Sequence, residues 1–200
     1  MTSSNTSVKR DWLPTLANIM TFTELLTAIR SAYVEQFAKA ASEQDAHIEP
    51  AYRQSNGSLS LEGSLLIPSR ADFIPKNANQ PVMMDSKFQL RFEPISFDIQ
   101  STSIVISPFG WDWMTLQVIS INKGAVTQTL KEWFLHWFDL EDSNQSTSEG
   151  LYGVVHFLSD PEPTIDGLQV NIDLGSSPVT ALEDLLFRLS DANVSEVHIG

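Results

Sequence analysis

Cysteine is absent from the 200-residue chain, which removes a disulfide framework, a thiolate metal site and a thiol nucleophile together. Basic residues are scarce: 12 Lys and Arg stand against 25 Asp and Glu, a formal charge of −13. Nonspecific binding to DNA, RNA or anionic lipid needs a cationic surface, so nucleic acid and membrane are not expected as direct partners. The nine glycines are scattered, with no phosphate-cradling loop and no Gly-x-Ser-x-Gly elbow. No stretch approaches the ~20 apolar residues needed to span a bilayer. Met1 to Asp11 is rich in Ser and Thr and lacks the apolar core of a secretory signal. A disordered tail over residues 1–11 and a cytoplasmic location are therefore expected.

What is present suffices for a core, since 42% of residues are hydrophobic. Residues 12–200 are expected to form a single α+β domain, with sub-lobes at 12–122 and 123–200. The expected architecture is a mainly antiparallel sheet with about three amphipathic helices packed on it. Thr21 and Glu24 form a capping-box pair, and Phe22, Leu25, Leu26, Ile29, Tyr33, Phe37 and Ala40 follow as one apolar stripe, which predicts a helix over 21–42. Val126, Leu130, Trp133, Phe134, Trp137 and Phe138 predict a second over 125–140. Ser177 as N-cap and Pro178 at the first helical position predict a third.

Period-two alternation predicts strands around 88–99, 104–106, 113–121 and 168–174, and a short closing strand over 194–199. The turn Ser107-Pro108-Phe109-Gly110 suggests that its flanking strands pair as a hairpin. Leu151–Leu158 reads as a central strand. Leu59, Leu61 and Leu65 to Ile67 suggest one interrupted strand, and Phe73 another within a Pro-broken stretch.

The charge is unevenly placed. Residues 1–100 carry nine Lys and Arg against eleven acids; residues 101–200 carry three against fourteen. Between Lys131 and Arg188 there are eleven acids and no Lys or Arg, interleaved with apolar residues that pattern as folded elements. A folded single-sign surface steers partners of opposite charge. Asp139, Glu141, Asp142, Glu149, Asp160, Glu162, Asp166 and Asp173 are therefore expected to face a basic protein partner. Trp111 and Trp113, flanking Asp112 after the Pro-Phe-Gly turn, are expected to anchor it. The function expected is a non-catalytic acidic binding module, such as an immunity protein or inhibitor of a nuclease-like partner, with no cofactor.

The alternative is a small metal-dependent hydrolase. Glu132, His136 and Asp139 fall at i, i+4 and i+7 on one face of the second helix, and imidazole and carboxylate are ordinary metal ligands. His156 could complete the set if its strand lies beside that face. Asp139 to Asn144 resembles a calcium loop only weakly, because Asn144 stands where the turn needs Gly and Gly150 where it needs Glu.

Overall fold

The structure, a computed structural model, describes residues 21–78, 80–86 and 89–200. The expected tail over residues 1–11 and Phe88 lie outside them. Helix α1 spans Phe22–Ser42 and begins on its capping signal, with Thr21 Oγ1 accepting from the Glu24 N–H and Glu24 accepting from the Thr21 N–H. Helix α2 spans Lys123–Phe138, and α3 spans Val179–Asp191. The indole N–H of Trp133 donates to Ala181 O at 2.8 Å and that of Trp137 to Asp184 at 2.9 Å, which ties α2 to α3. Helix α3 starts one residue later than expected, because Pro178 is extended and occupies the N-cap, leaving the buried Ser177 Oγ without a partner.

Among the described residues nine strands form two sheets. A small antiparallel pair joins β1 (Ala46–Ile48) to β2 (Phe73–Pro75). The main sheet holds β3 (Ile95–Ile99), β4 (Thr102–Ile106), β5 (Met114–Ile119), β6 (Phe157–Leu158), β7 (Glu162–Pro163), β8 (Gly167–Asp173) and β9 (Glu196–Ile199). Its order is β3-β4-β9-β5-β8-β6, with β7 also paired to β8. Only the β4–β9 contact among the described pairings is parallel, so the fold is α+β with a mostly antiparallel sheet.

Several expectations fail in instructive ways. Strands β4 and β5 do not form a hairpin, because the C-terminal strand β9 fills the slot between them and buries Val197 and Ile199 there. The intervening turn instead folds inward on Phe109 and Trp111. Leu151–Leu158 is not a central strand: only Phe157 and Leu158 join the sheet, on β8 at its edge. Gly153 turns the chain at φ +71°, and the Val155 N–H goes to Trp137 O at the end of α2. The stretch 59–67 makes isolated bridges only, Arg53 with Leu59 and Glu62 with Ile67, and residues 89–94 precede β3 without joining the sheet.

Strands β4, β5 and β8 each alternate buried and half-buried positions. Ile104, Leu116, Val118, Val170 and Ile172 point into one core with the apolar stripes of the three helices. The opposite face carries Gln117, Gln169 and Asn171 and, by the same alternation, Asp173. At the Asp173 end, described residues between Ser69 and Ser86 cross from His156 to Asp112 and enclose Asp173. No helix among the described residues is long and apolar enough to cross a membrane.

Gly167 sits where β5 and β8 approach so closely that a Cβ would fall 1.8 Å from Val118 O. Gly167→Ala must therefore spread the ladder. We expect a loss of about 3 kcal/mol, the upper end for overpacking, read from the urea midpoint at constant m-value.

Candidate functional site

Under the crossing segment, four ionisable side chains from separate parts of the chain meet with almost no exposure. They are Glu49, just after β1; Asp72, just before β2; His156, just before β6; and Asp173, at the end of β8. His156 Nε2 lies 2.6 Å from Glu49 Oε1, and Nδ1 lies 2.8 Å from Asp72 Oδ1. Asp173 Oδ2 stands 3.8 Å from the same Nδ1. Backbone donors complete the carboxylates: the Tyr152 N–H reaches Glu49 Oε2 at 2.6 Å, the Met84 N–H reaches Asp72 Oδ2, and the Gly175 N–H reaches Asp173 Oδ1 at 2.8 Å.

Burial works against a charged His156, yet its hydrogen bonds to Asp72 and Glu49, with the charges of Asp173 and Glu49, raise its pKa to about 10. Glu49 is also penalised by burial, but His156, Ser176 and the Tyr152 N–H bring it below the ordinary carboxylate range. Asp173 goes the other way. Burial lifts it to about 7; His156 opposes this, and the nearby Asp72 and Asp112 carboxylates add to it. At neutral pH His156 is thus an imidazolium with both N–H groups given to carboxylates, and it has no lone pair to offer as base or ligand.

Arg70 is buried beside this array and fully engaged. Its guanidinium donates to Phe138 O, Asp139 O and Glu49 O, and it pairs with Asp142 at 2.6 Å. It also lies 4.4 Å from the Phe138 ring centre. A cation on the last carbonyls of α2 is favoured by the helix dipole, and here it replaces the missing hydrogen-bond partners of the helix end.

Two clefts open on either side. One, of about 550 Å³, is lined by His47, Glu49, Arg53, Arg70, Lys76, Asp139, Asp142 and Tyr152 among others, and mixes both signs of charge. The other, of about 510 Å³, has an apolar rim of Tyr52, Met83, Met84, Trp113 and Phe157 over Asp85, Asp112 and Asp173. Trp113 and Phe157 stack at 5.9 Å with planes 12° apart. The register explains the convergence: Phe157 pairs with Asp173, and Trp113 lies one step beyond the Met114–Ile172 pair. The two rings flank Asp173 from neighbouring strands and lean together.

The expected partner-facing residues divide into groups. Trp111 and Asp173 are buried, so neither can face a partner from the open surface. Trp111 packs against Phe109 in the core, and Asp173 lies under the crossing segment. Asp139, Asp142, Glu149 and Asp160 are bonded within the chain. Asp139 takes the Ser143 hydroxyl and the Asn144 N–H, Asp142 holds Arg53 and Arg70, Glu149 holds Arg30, and Asp160 takes the N–H groups of Ser64 and Leu65. Glu141, Glu162 and Asp166 are exposed, as is Trp113.

The metal set does not assemble. His156 is enclosed by Glu49 and Asp72, Glu132 accepts from Gln128, His136 lies edge-on to Trp137, and Asp139 is occupied in its turn. Glu132 and His136 stand on the exposed face of α2, whereas His156 is fully buried. Among the described residues, the group whose potential ligand atoms all fall within 4.8 Å is Asp72, His156 and Asp173. There the imidazole is already at hydrogen-bond distance from carboxylates on both sides. Sequence reasoning missed Glu49, Arg70 and Asp72, all single charged residues without spacing to mark them, and noted Asp112 only as the residue between the two tryptophans. Comparison with family models, curated proteins and solved structures finds no match for the chain.

Removing His156 leaves buried carboxylates facing each other. His156→Ala should cost about 3–5 kcal/mol, as for other broken buried ion pairs, measured by urea unfolding at pH 7. The pH dependence has a definite sign. A pKa raised from 6.5 to about 10 stabilises the fold fully below 6.5, and that contribution is lost as pH rises toward 10. Urea midpoints of the wild type should fall over this range, whereas those of a folded His156→Gln variant should fall less. Parallel curves would remove the imidazolium.

Proposed function

We propose that the chain is a non-catalytic binding protein that presents a negative surface to a basic protein partner. An immunity protein or inhibitor seated in the cationic groove of a nuclease-like toxin is the concrete form. The observation that supports this most is how the cations are used. Arg30, Arg53, Arg70, Lys76 and Arg188 each sit on a carboxylate of the same chain, and Lys123 and Lys131 on the carbonyls of Thr164 and Leu65. Pairing inside the chain is neutral, so the excess charge falls on carboxylates that none of the described cations meets. Glu141, Glu162 and Asp166 are among them and stand in solvent. The most unusual titratable group, His156, is a closed ion pair without a lone pair, which favours a structural role over chemistry at that residue.

Association through complementary charge is fast and salt-sensitive. Immobilised protein should retain a basic protein of its native host at about 0.05 M salt and release it at about 0.5 M. Reversing Glu141, Glu162 and Asp166 together to Lys should lower the association rate about tenfold or more at low salt, with the dissociation rate changing little. Failure to retain any basic protein at low salt, or an unchanged association rate, would sink this reading.

A further inference from the structure

We propose that the cleft beneath Trp113 and Phe157 is an arginine pocket, receiving a guanidinium group that lies on the Trp113 ring and donates to Asp173 and Asp112. The proposal rests on the reading above for the source of that arginine, a side chain of the basic partner, but not for the chemistry of the pocket.

Three features of the cleft select a cation. The first is Asp173, about 97% buried by its 3% relative exposure, whose Oδ2 accepts no hydrogen bond from any described residue. Its nearest cationic atom, His156 Nδ1, is 3.8 Å away and already committed to Asp72 at 2.8 Å. With its other oxygen held by the Gly175 N–H, the Oδ2 of this carboxylate keeps lone pairs for a donor entering the cleft. The second is the balance of charge. Among the described residues, Asp112 and Asp173 face the cleft with one basic residue in its lining, Arg70, whose guanidinium is directed to the end of α2, to Glu49 O and to Asp142. The third is the rim. Trp113 is 56% exposed and Met83 51%, an unusual display of large apolar side chains directly above carboxylates.

Aromatic faces above carboxylates recognise cations, because the ring quadrupole and the acid attract the same positive group. The shape then favours guanidinium over ammonium. A flat, weakly hydrated group can lie on the exposed indole face while its edge forks onto oxygens, whereas an ammonium is compact and strongly hydrated. Asp112 is oriented for this by Ser86, whose N–H and hydroxyl donate to its two oxygens at 3.0 and 3.1 Å. A cleft of about 510 Å³ lies within the range of sites that enclose a small ligand or one long side chain. An apolar guest would leave the carboxylates desolvated and unpaired, which the same burial makes costly.

The test uses the intact protein and three small probes: N-acetyl-arginine N-methylamide, its lysine counterpart and the neutral citrulline counterpart. Binding is followed at the Trp113 indole N–H resonance, assigned by its loss in Trp113→Phe. The arginine probe should give a saturable shift at millimolar concentration, with citrulline binding about tenfold or more weakly and lysine in between. Asp112→Asn should weaken the arginine probe about tenfold. Trp113→Ala, at an exposed position, should weaken it as well and serves if Asp112→Asn fails to fold; Trp111 and Trp133 indole resonances then report binding and folding. Equal binding of citrulline, tighter binding of lysine, or no saturable shift would overturn the proposal. The two readings fail separately. Probe binding without any basic partner removes the partner and keeps the pocket. A retained partner that Trp113→Ala does not weaken and the arginine probe does not displace removes the pocket and keeps the partner.

Discussion

The imidazolium of His156 is the interaction on which the irregular half of the molecule depends. Among the described residues, 45–85 contribute a pair of three-residue strands and a few isolated bridges, too little to hold a segment of that length in place. Instead Glu49 and Asp72 reach one ring from opposite sides, while Arg70 between them in sequence grips the end of α2. The backbone bends to allow this. Glu49 adopts φ +49°, in the left-handed region that non-glycine residues seldom occupy. Gly175 is equally constrained: with φ +52°, a Cβ there would lie 2.4 Å from the His156 ring and 2.6 Å from Val154 O. Local strain of this kind persists only where the surroundings over-determine it, and two charged hydrogen bonds to a buried ring do so.

The same interaction decides where chemistry is available. A ring whose two nitrogens both donate to carboxylates is a structural cation, and Arg70 is saturated in the same way. With both cations committed elsewhere, Asp173 shares its neighbours' negative field, and its Oδ2 accepts no hydrogen bond from a described residue. Burial and the Asp72 and Asp112 charges lift it to about 7 for that reason. The array and the cleft above it are therefore one electrostatic problem. The ring satisfies two acids, and a third faces the opening between Trp113, Phe157 and Met84.

Legibility from sequence followed the range of the interaction. Helix α1 was readable because a capping box and a stripe repeat within one turn of each other, and β8 because alternation of Leu168, Val170 and Ile172 needs no partner to be seen. The insertion of β9 between β4 and β5 was hidden, since the turn at 107–110 suggests pairing across it and nothing local announces a strand arriving from the far end of the chain. Leu151–Val155 misled through composition: apolar residues buried beside a helix end look the same as a central strand. Asp173 is the most informative case. Alternation places it on the outer face, where it was expected to meet a partner, but its cover comes from a segment some hundred residues earlier whose path no periodicity describes. Glu49, Asp72 and His156 are brought together by the same long-range closure, so no spacing among them could have signalled the array.

The uneven charge of the two halves has a physical counterpart in the fold. Arg30, Arg53 and Arg70, from the basic-richer first half, are matched to Glu149 and Asp142 in the acid-rich second half, which uses attraction between the halves to seat the loops after α2. Of these bridges, the Arg70 end is buried and the others are half-exposed, so the former carries most of the specificity and the latter are softened by solvent. Each bridge sets a cation against a carboxylate, so the formal excess of 13 negative charges is unchanged by pairing. The bridged cations are neutralised in place, Arg53 and Lys76 while still partly exposed, so the unbalanced charge stands on acids outside the bridges. A chain that folds by spending its own arginines on its own carboxylates leaves an exterior best complemented by arginines from elsewhere.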